Sequence, residues 1–107
     1  MTIIYLLECK NDDSVLYKIG STKNVENRIK KLQTGNPYEI KEIAKFESSH
    51  GQLVERALHN GFSYCRKKGE WFQIELKDVV NFINICEKFE KGFDALKDNT
   101  YFNKHYL

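Results

Sequence analysis

The sequence predicts one small α+β domain in which a three-stranded antiparallel sheet is flanked by helices. Residues 2–8, 15–20 and 39–47 are short runs that are apolar or alternate apolar with charged residues, which is the pattern of strands. Around them apolar side chains recur at spacings of three and four, the period of a helix buried on one face. A length of 107 residues, with 41% hydrophobic and 13% aromatic positions, suffices for one packed core but not two, so residues 1–107 are read as a single domain.

Thr2 to Glu8 is apolar almost throughout and reads as a strand covered on both faces. Asn11-Asp12-Asp13-Ser14 makes a turn, and Val15 to Gly20 follows closely enough to return as the antiparallel partner. Lys18 interrupts that second run, so the fold must either pair its charge or expose it. Thr22 or Asn24 caps a helix whose stripe is Val25, Ile29 and Leu32, stopped by Gly35 and Pro37. Glu39 to Glu47 then reads as a third strand with Ile40, Glu42, Ala44 and Phe46 on one face. Ser49 and Gln52 fit a capping box for a helix carrying Leu53, Val54, Ala57, Leu58 and Phe62, on which Glu55 and His59 stand four apart. Arg66, Lys67 and Lys68 read as a basic loop before the cluster Glu70-Trp71-Phe72. One long C-terminal helix is expected from about Leu76 to Lys97, leaving an aromatic tail over residues 99–107.

Composition excludes several classes. One Pro, six Gly and a net charge of +2 do not describe a collagenous, low-complexity or disordered chain. The apolar run Ile3 to Leu7 is far shorter than a signal or membrane segment, which suggests a soluble, intracellular protein without a membrane partner. Cys9, Cys65 and Cys86 form no CxxC pair and are expected to be free thiols.

Metal-dependent phosphodiester cleavage needs a carboxylate for a hard cation, a base for water, and a cation near the phosphate. Glu55, the tyrosines flanking Lys18 (Tyr5 on the first strand, Tyr17 on the second) and Arg28 offer one candidate each. Each also has a plain structural role: Tyr5 as a core aromatic, Arg28 as a solvated helix residue, Glu55 with His59 as an exposed i,i+4 pair. The pattern alone leaves these open.

Taken in order, Ile3-Ile4-Tyr5, Tyr17-Lys18-Ile19-Gly20-Ser21-Thr22, Arg28 and Glu55 resemble the GIY-YIG nuclease superfamily. The sequence is most similar to its T5orf172 or MUG113 branch of phages and large DNA viruses, through Lys18 to Thr22, Arg28, the Leu32 to Pro37 turn, Glu55 with His59, and Glu70-Trp71-Phe72. The similarity spans about residues 2–75 and leaves the C-terminal helix outside. It implies a three-stranded sheet with the active site near its hairpin, and a DNA substrate. It further implies that Tyr5 orients or deprotonates the attacking water, Arg28 binds the scissile phosphate, and Glu55 ligates Mg2+ or Mn2+. Lys18 stands where the superfamily has its second tyrosine and is expected to favour a Tyr5 phenolate. Ile3 replaces a glycine. Gly20 admits a close approach of substrate or an unusual turn. Glu70 stands where many members have asparagine and would bind metal or pair with Arg28.

His59 is a general acid, a base partner for Tyr5, or a helix residue bonded to Glu55. Trp71 and Phe72 are core anchors or base-stacking platforms. Lys23, Lys30, Lys31, Arg66, Lys67 and Lys68 are expected to meet DNA phosphates. The resulting expectation is a metal-dependent DNA endonuclease whose sequence choice is low or supplied by a partner. The alternatives are a DNA-binding module that does not cut, and an interaction or homodimerisation domain using Phe82, Phe89 and Phe93.

Overall fold

In a computed structural model, which describes residues 1–97, the first two runs form the expected hairpin: β1 (Thr2–Lys10) pairs antiparallel with β2 (Val15–Thr22). The Asn11 carboxamide oxygen closes the turn by accepting from the backbone N–H groups of Asp13 and Ser14 at 2.9 and 2.7 Å, an Asx-turn. Asn24 caps α1 (Val25–Gln33) by accepting from Asn27 N at 3.0 Å. Thr22 holds the residue before it, accepting from Asn24 N at 3.2 Å. Gly35, at φ +77°, ends the helix in the left-handed conformation that glycine adopts at least cost. Gln33 then ties the connection to β3 (Ile40–Ser48), accepting from Ile40 N at 2.8 Å and donating to Tyr38 O at 2.9 Å.

The sheet has five strands rather than three, in the order β3-β1-β2-β5-β4. The additional pair is β4 (Arg66–Lys68) and β5 (Trp71–Phe72). Thus the predicted basic loop is a strand, turned through Gly69 at φ +57°. Segments of three and two residues are too short for an alternation to register, so pairing with β2 decides their state. A β-bulge sets Leu6 opposite Ala44 but Leu7 opposite Glu42, leaving Ile43 as the extra residue. The expected single face of β3 is therefore split: Ile40 packs with Tyr5, Leu7 and Val25, while Ala44 and Phe46 pack against the opposite cluster of Ile4, Leu6 and Ile19.

Helix α1 covers the Tyr5 face, and α2 (Gly51–Gly61) with α4 (Phe82–Leu96) covers the other. No capping box forms at α2; its N-cap is His50, without a side-chain cap bond. Instead Glu90 reaches over from α4, accepting from Ser48 Oγ at 2.6 Å and Ser49 N at 2.8 Å, and Asp94 meets His50 Nε2 at 2.8 Å. The predicted C-terminal helix is broken at Asn81 (φ −92°, ψ 6°) into α3 (Leu76–Val80) and α4. Asn tolerates this bridge-region backbone, and the break lets Phe82 enter the core while Leu76 and Val80 stay exposed. Phe82 is buried, and Phe89 and Phe93, half-buried, pack on the same cluster, so the domain itself takes up much of the phenylalanine face expected to make an interaction surface. No helix among the described residues is long and apolar enough to cross a membrane. The predicted aromatic tail lies outside the described residues.

Candidate active site

The site grows from an unfinished strand edge. β5 pairs with β2 only at Tyr17 and Lys18, so from Ile19 onward the polar backbone of β2 must find other partners. Ile19 N donates to Glu70 O at 3.3 Å, and Ile19 O accepts from His59 Nε2 at 2.9 Å. Because a carbonyl only accepts, the bond fixes a proton on Nε2 and leaves Nδ1 as the basic nitrogen of the neutral ring. One strand residue thereby anchors two residues distant in sequence. Phe72 meets the His59 ring edge-on at 5.0 Å.

Glu55 lies one turn before His59 on α2, with Oε2 3.7 Å from His59 Nε2. Its other oxygen accepts from Ser21 Oγ. Glu70 pairs with Lys18 Nζ at 3.2 Å. Donor atoms of Glu55, His59 and Glu70 all lie within 4.8 Å of one another. Two carboxylates and an imidazole on such a small perimeter form a donor set that suits Mn2+ and, through the oxygens, Mg2+, so the residues present fit the divalent cation expected from the sequence.

Tyr5 arrives from the neighbouring strand by crossing β2 over Gly20. A Cβ built on Gly20 would stand 2.3 Å from the phenol oxygen, a separation no side chain tolerates. Gly20 is thus floor space for a phenol, and its φ is not in the left-handed region, so the expected unusual turn is not made there. Beyond it, Arg28 Nε donates to Tyr5 OH at 3.3 Å. Burial pushes the Tyr5 titration up; Arg28 pulls it down, and the Glu70 and Glu55 carboxylates push it up further. Tyr5 is consequently a neutral phenol in the free protein. The cation acting on it is Arg28 and not, as expected, Lys18, whose charge is taken up by Glu70 and by the face of Trp71 at 5.4 Å. Of the two roles expected for Glu70, the ion pair forms with Lys18 rather than Arg28, while its carboxylate also stands in the donor group with Glu55 and His59.

Tyr5, Arg28, Glu55, His59 and Glu70 therefore converge at one edge, with Lys18 joined to them through Glu70. Tyr17 does not: it faces the opposite cluster and donates to Glu8 at 3.3 Å. Ser21, which the sequence reading did not single out, enters as the partner of Glu55, and Arg56 lines the shallow pocket beside Glu55 and His59. The predicted phosphate contacts Lys23, Lys30, Lys31, Arg66, Lys67 and Lys68 are all exposed.

The T5orf172 domain family matches residues 2–87, which extends the similarity past residue 75 into α4. Among curated proteins, the "Putative KilA-N domain-containing protein 315L" of Invertebrate iridescent virus 6 is 31% identical over 96 residues, covering 84% of this chain and 38% of that protein. The chain thus spans well under half of that relative. No solved structure matches the chain significantly.

Proposed function

Since the chain belongs to the T5orf172 domain family, we propose that it is a DNA endonuclease that hydrolyses phosphodiester bonds with the help of Mg2+ or Mn2+. The observation that carries this reading is the gathering of Tyr5 with Arg28, and of Glu55 with His59 and Glu70, at the uncovered edge of β2. Nothing in the packing of a small sheet requires a guanidinium, a phenol, an imidazole and two carboxylates in one place.

Arg28 holds the scissile phosphate: its Nε is committed to Tyr5, and the remaining guanidinium N–H groups suit phosphate oxygens. Tyr5 would position the attacking water by its hydroxyl and, having lost its own proton to solvent once the local field favours phenolate, would take the water's proton as the water oxygen bonds to phosphorus and the P–O bond to the leaving strand breaks. Glu55, oriented by Ser21, and Glu70 are the ligands for the divalent cation, with His59 beside them. When bound, the cation offsets the charge developing on the phosphate and the carboxylate fields that keep Tyr5 protonated. His59, its Nε2 proton held by Ile19, would accept or return a proton at Nδ1. Lys18 keeps Glu70 beside β2 and compensates its charge. The exposed lysines of α1 and the basic β4 supply sequence-independent attraction for DNA. Sequence choice would then come from a partner, or from a further part of a longer protein such as the viral relative.

Supercoiled plasmid incubated with Mg2+ or Mn2+ tests the reading. Wild-type protein is expected to nick it, and Glu55→Ala and Arg28→Ala to lose nicking by about 10²-fold or more. Binding without cation-dependent nicking would instead support a DNA-binding module, and neither activity would remove DNA as the partner.

A further inference from the structure

A second concavity lies on the same face of the sheet as Tyr5. Along β2, Leu16, Lys18 and Gly20 share this face, since they pair with Cys9, Leu7 and Tyr5 of β1. At the Gly20 end stands the Tyr5 phenol; at the Leu16 end is a pocket of about 300 Å3 lined by Cys9, Leu16, Tyr38, Trp71, Lys67 and Lys68, among others. Lys18 joins the two, with its ammonium bonded to Glu70 and placed over the Trp71 ring. The four residue steps from Leu16 to Gly20 span about 13 Å, a distance of a few nucleotides.

The lining is chemically mixed in a particular way. Its walls are mostly aliphatic, sulfur and aromatic groups, with the carboxamides of Asn11 and Asn36 among them, and Trp71, the chain's single tryptophan, is only half-buried. Tyr38 is 37% exposed, and Lys67 and Lys68 are exposed at the rim. A flat apolar ring with an anion attached matches both parts: the ring meets the aromatic walls and the anion meets the lysines. The volume of about 300 Å3 suits a single planar base. A base stacked inside a duplex cannot enter, so the occupant must be unpaired or turned out of the helix.

We propose that this pocket binds one unpaired nucleobase of the DNA strand, a few nucleotides from the scissile phosphate. The preferred substrate then carries single-stranded, flapped or looped nucleotides. The inference rests on the reading of DNA as the partner and gives it a substrate class.

Trp71, the chain's single tryptophan, lines this pocket, so its emission reports on what enters, and an abasic strand separates base insertion from events at the neighbouring site. Wild-type protein is titrated with a short oligothymidylate, with the same backbone made abasic, and with a blunt duplex. Tryptophan emission and the anisotropy of a labelled strand are followed together. Emission quenched by oligothymidylate, but not by the abasic strand or the duplex, is the expected result. Tyr38→Ala, on an exposed loop, should weaken oligothymidylate binding about 5- to 150-fold while leaving the circular dichroism spectrum unchanged. Binding seen by anisotropy with unchanged emission, or equal quenching by the abasic strand, would overturn the pocket while leaving DNA binding intact. Absence of all binding at low salt would overturn both. Quenching without plasmid nicking would uphold the pocket and contradict the nuclease.

Discussion

At the scale of single residues, Gly20 is the most revealing position, because the space it leaves is filled by a phenol from the next strand. Gly20→Ala should cost about 1–3 kcal/mol in urea unfolding, the usual penalty for overpacking. It should also lower nicking by about 10²-fold through displacement of Tyr5; unchanged nicking would show that the phenol's position does not matter. The order of Tyr5, Gly20, Arg28 and Glu55 was legible in the sequence, but which groups touch was not. Lys18 seemed the natural partner for Tyr5, yet Glu70, fifty-two positions later, takes its charge, and only the pairing of β5 with β2 brings that about. Cys86 offers a test of burial. Burial pushes its thiol from 9.0 up to about 12, so the folded state holds this proton more tightly than the unfolded state. Its contribution to stability is therefore complete below pH 9 and lost as pH rises toward 12. Thermal unfolding midpoints should fall more steeply over that interval for wild type than for Cys86→Ala.

At the scale of elements, the helix stripes and the first hairpin could be read from periodicity, whereas their ends and joins could not. Ser49 and Gln52 spell a capping box, yet the orphan N–H of Ser49 is satisfied by Glu90 of α4, a contact between residues too distant in sequence for any local pattern to signal. Glu90→Ala should therefore destabilise the fold by about 1–2 kcal/mol, as loss of a helix cap does. It leaves Ser48, only 1% exposed, without its acceptor as well. Chemical denaturation measures this directly, and a change within error would mean that α4 docks by its apolar stripe alone. The bulge at Ile43 likewise escaped a strict alternation, because one extra residue exchanges the two faces of β3.

At the scale of the whole molecule, a net charge of only +2 comes from cations and carboxylates that are both largely exposed, so any attraction for DNA rests on local groups, among them Lys23, Lys30, Lys31 and the β4 cations. DNA affinity should fall steeply with salt, and each of Lys30→Ala and Lys31→Ala should reduce the slope of log K against log salt by about 1. The class of fold followed from composition and periodicity, and the family from a few separated motifs. The fourth and fifth strands, five residues together, were too short to read, although they bring Glu70 beside Glu55 and His59 and Trp71 to the neighbouring pocket. In the proposed mechanism Tyr5, Arg28 and Glu55 act as one catalytic unit. Single-turnover DNA cleavage rates of Tyr5→Phe, Arg28→Ala, Glu55→Ala and the triple variant test it most directly. Each single change should cost nearly as much as all three together; losses that multiply, or a triple variant that cleaves like wild type, would contradict it.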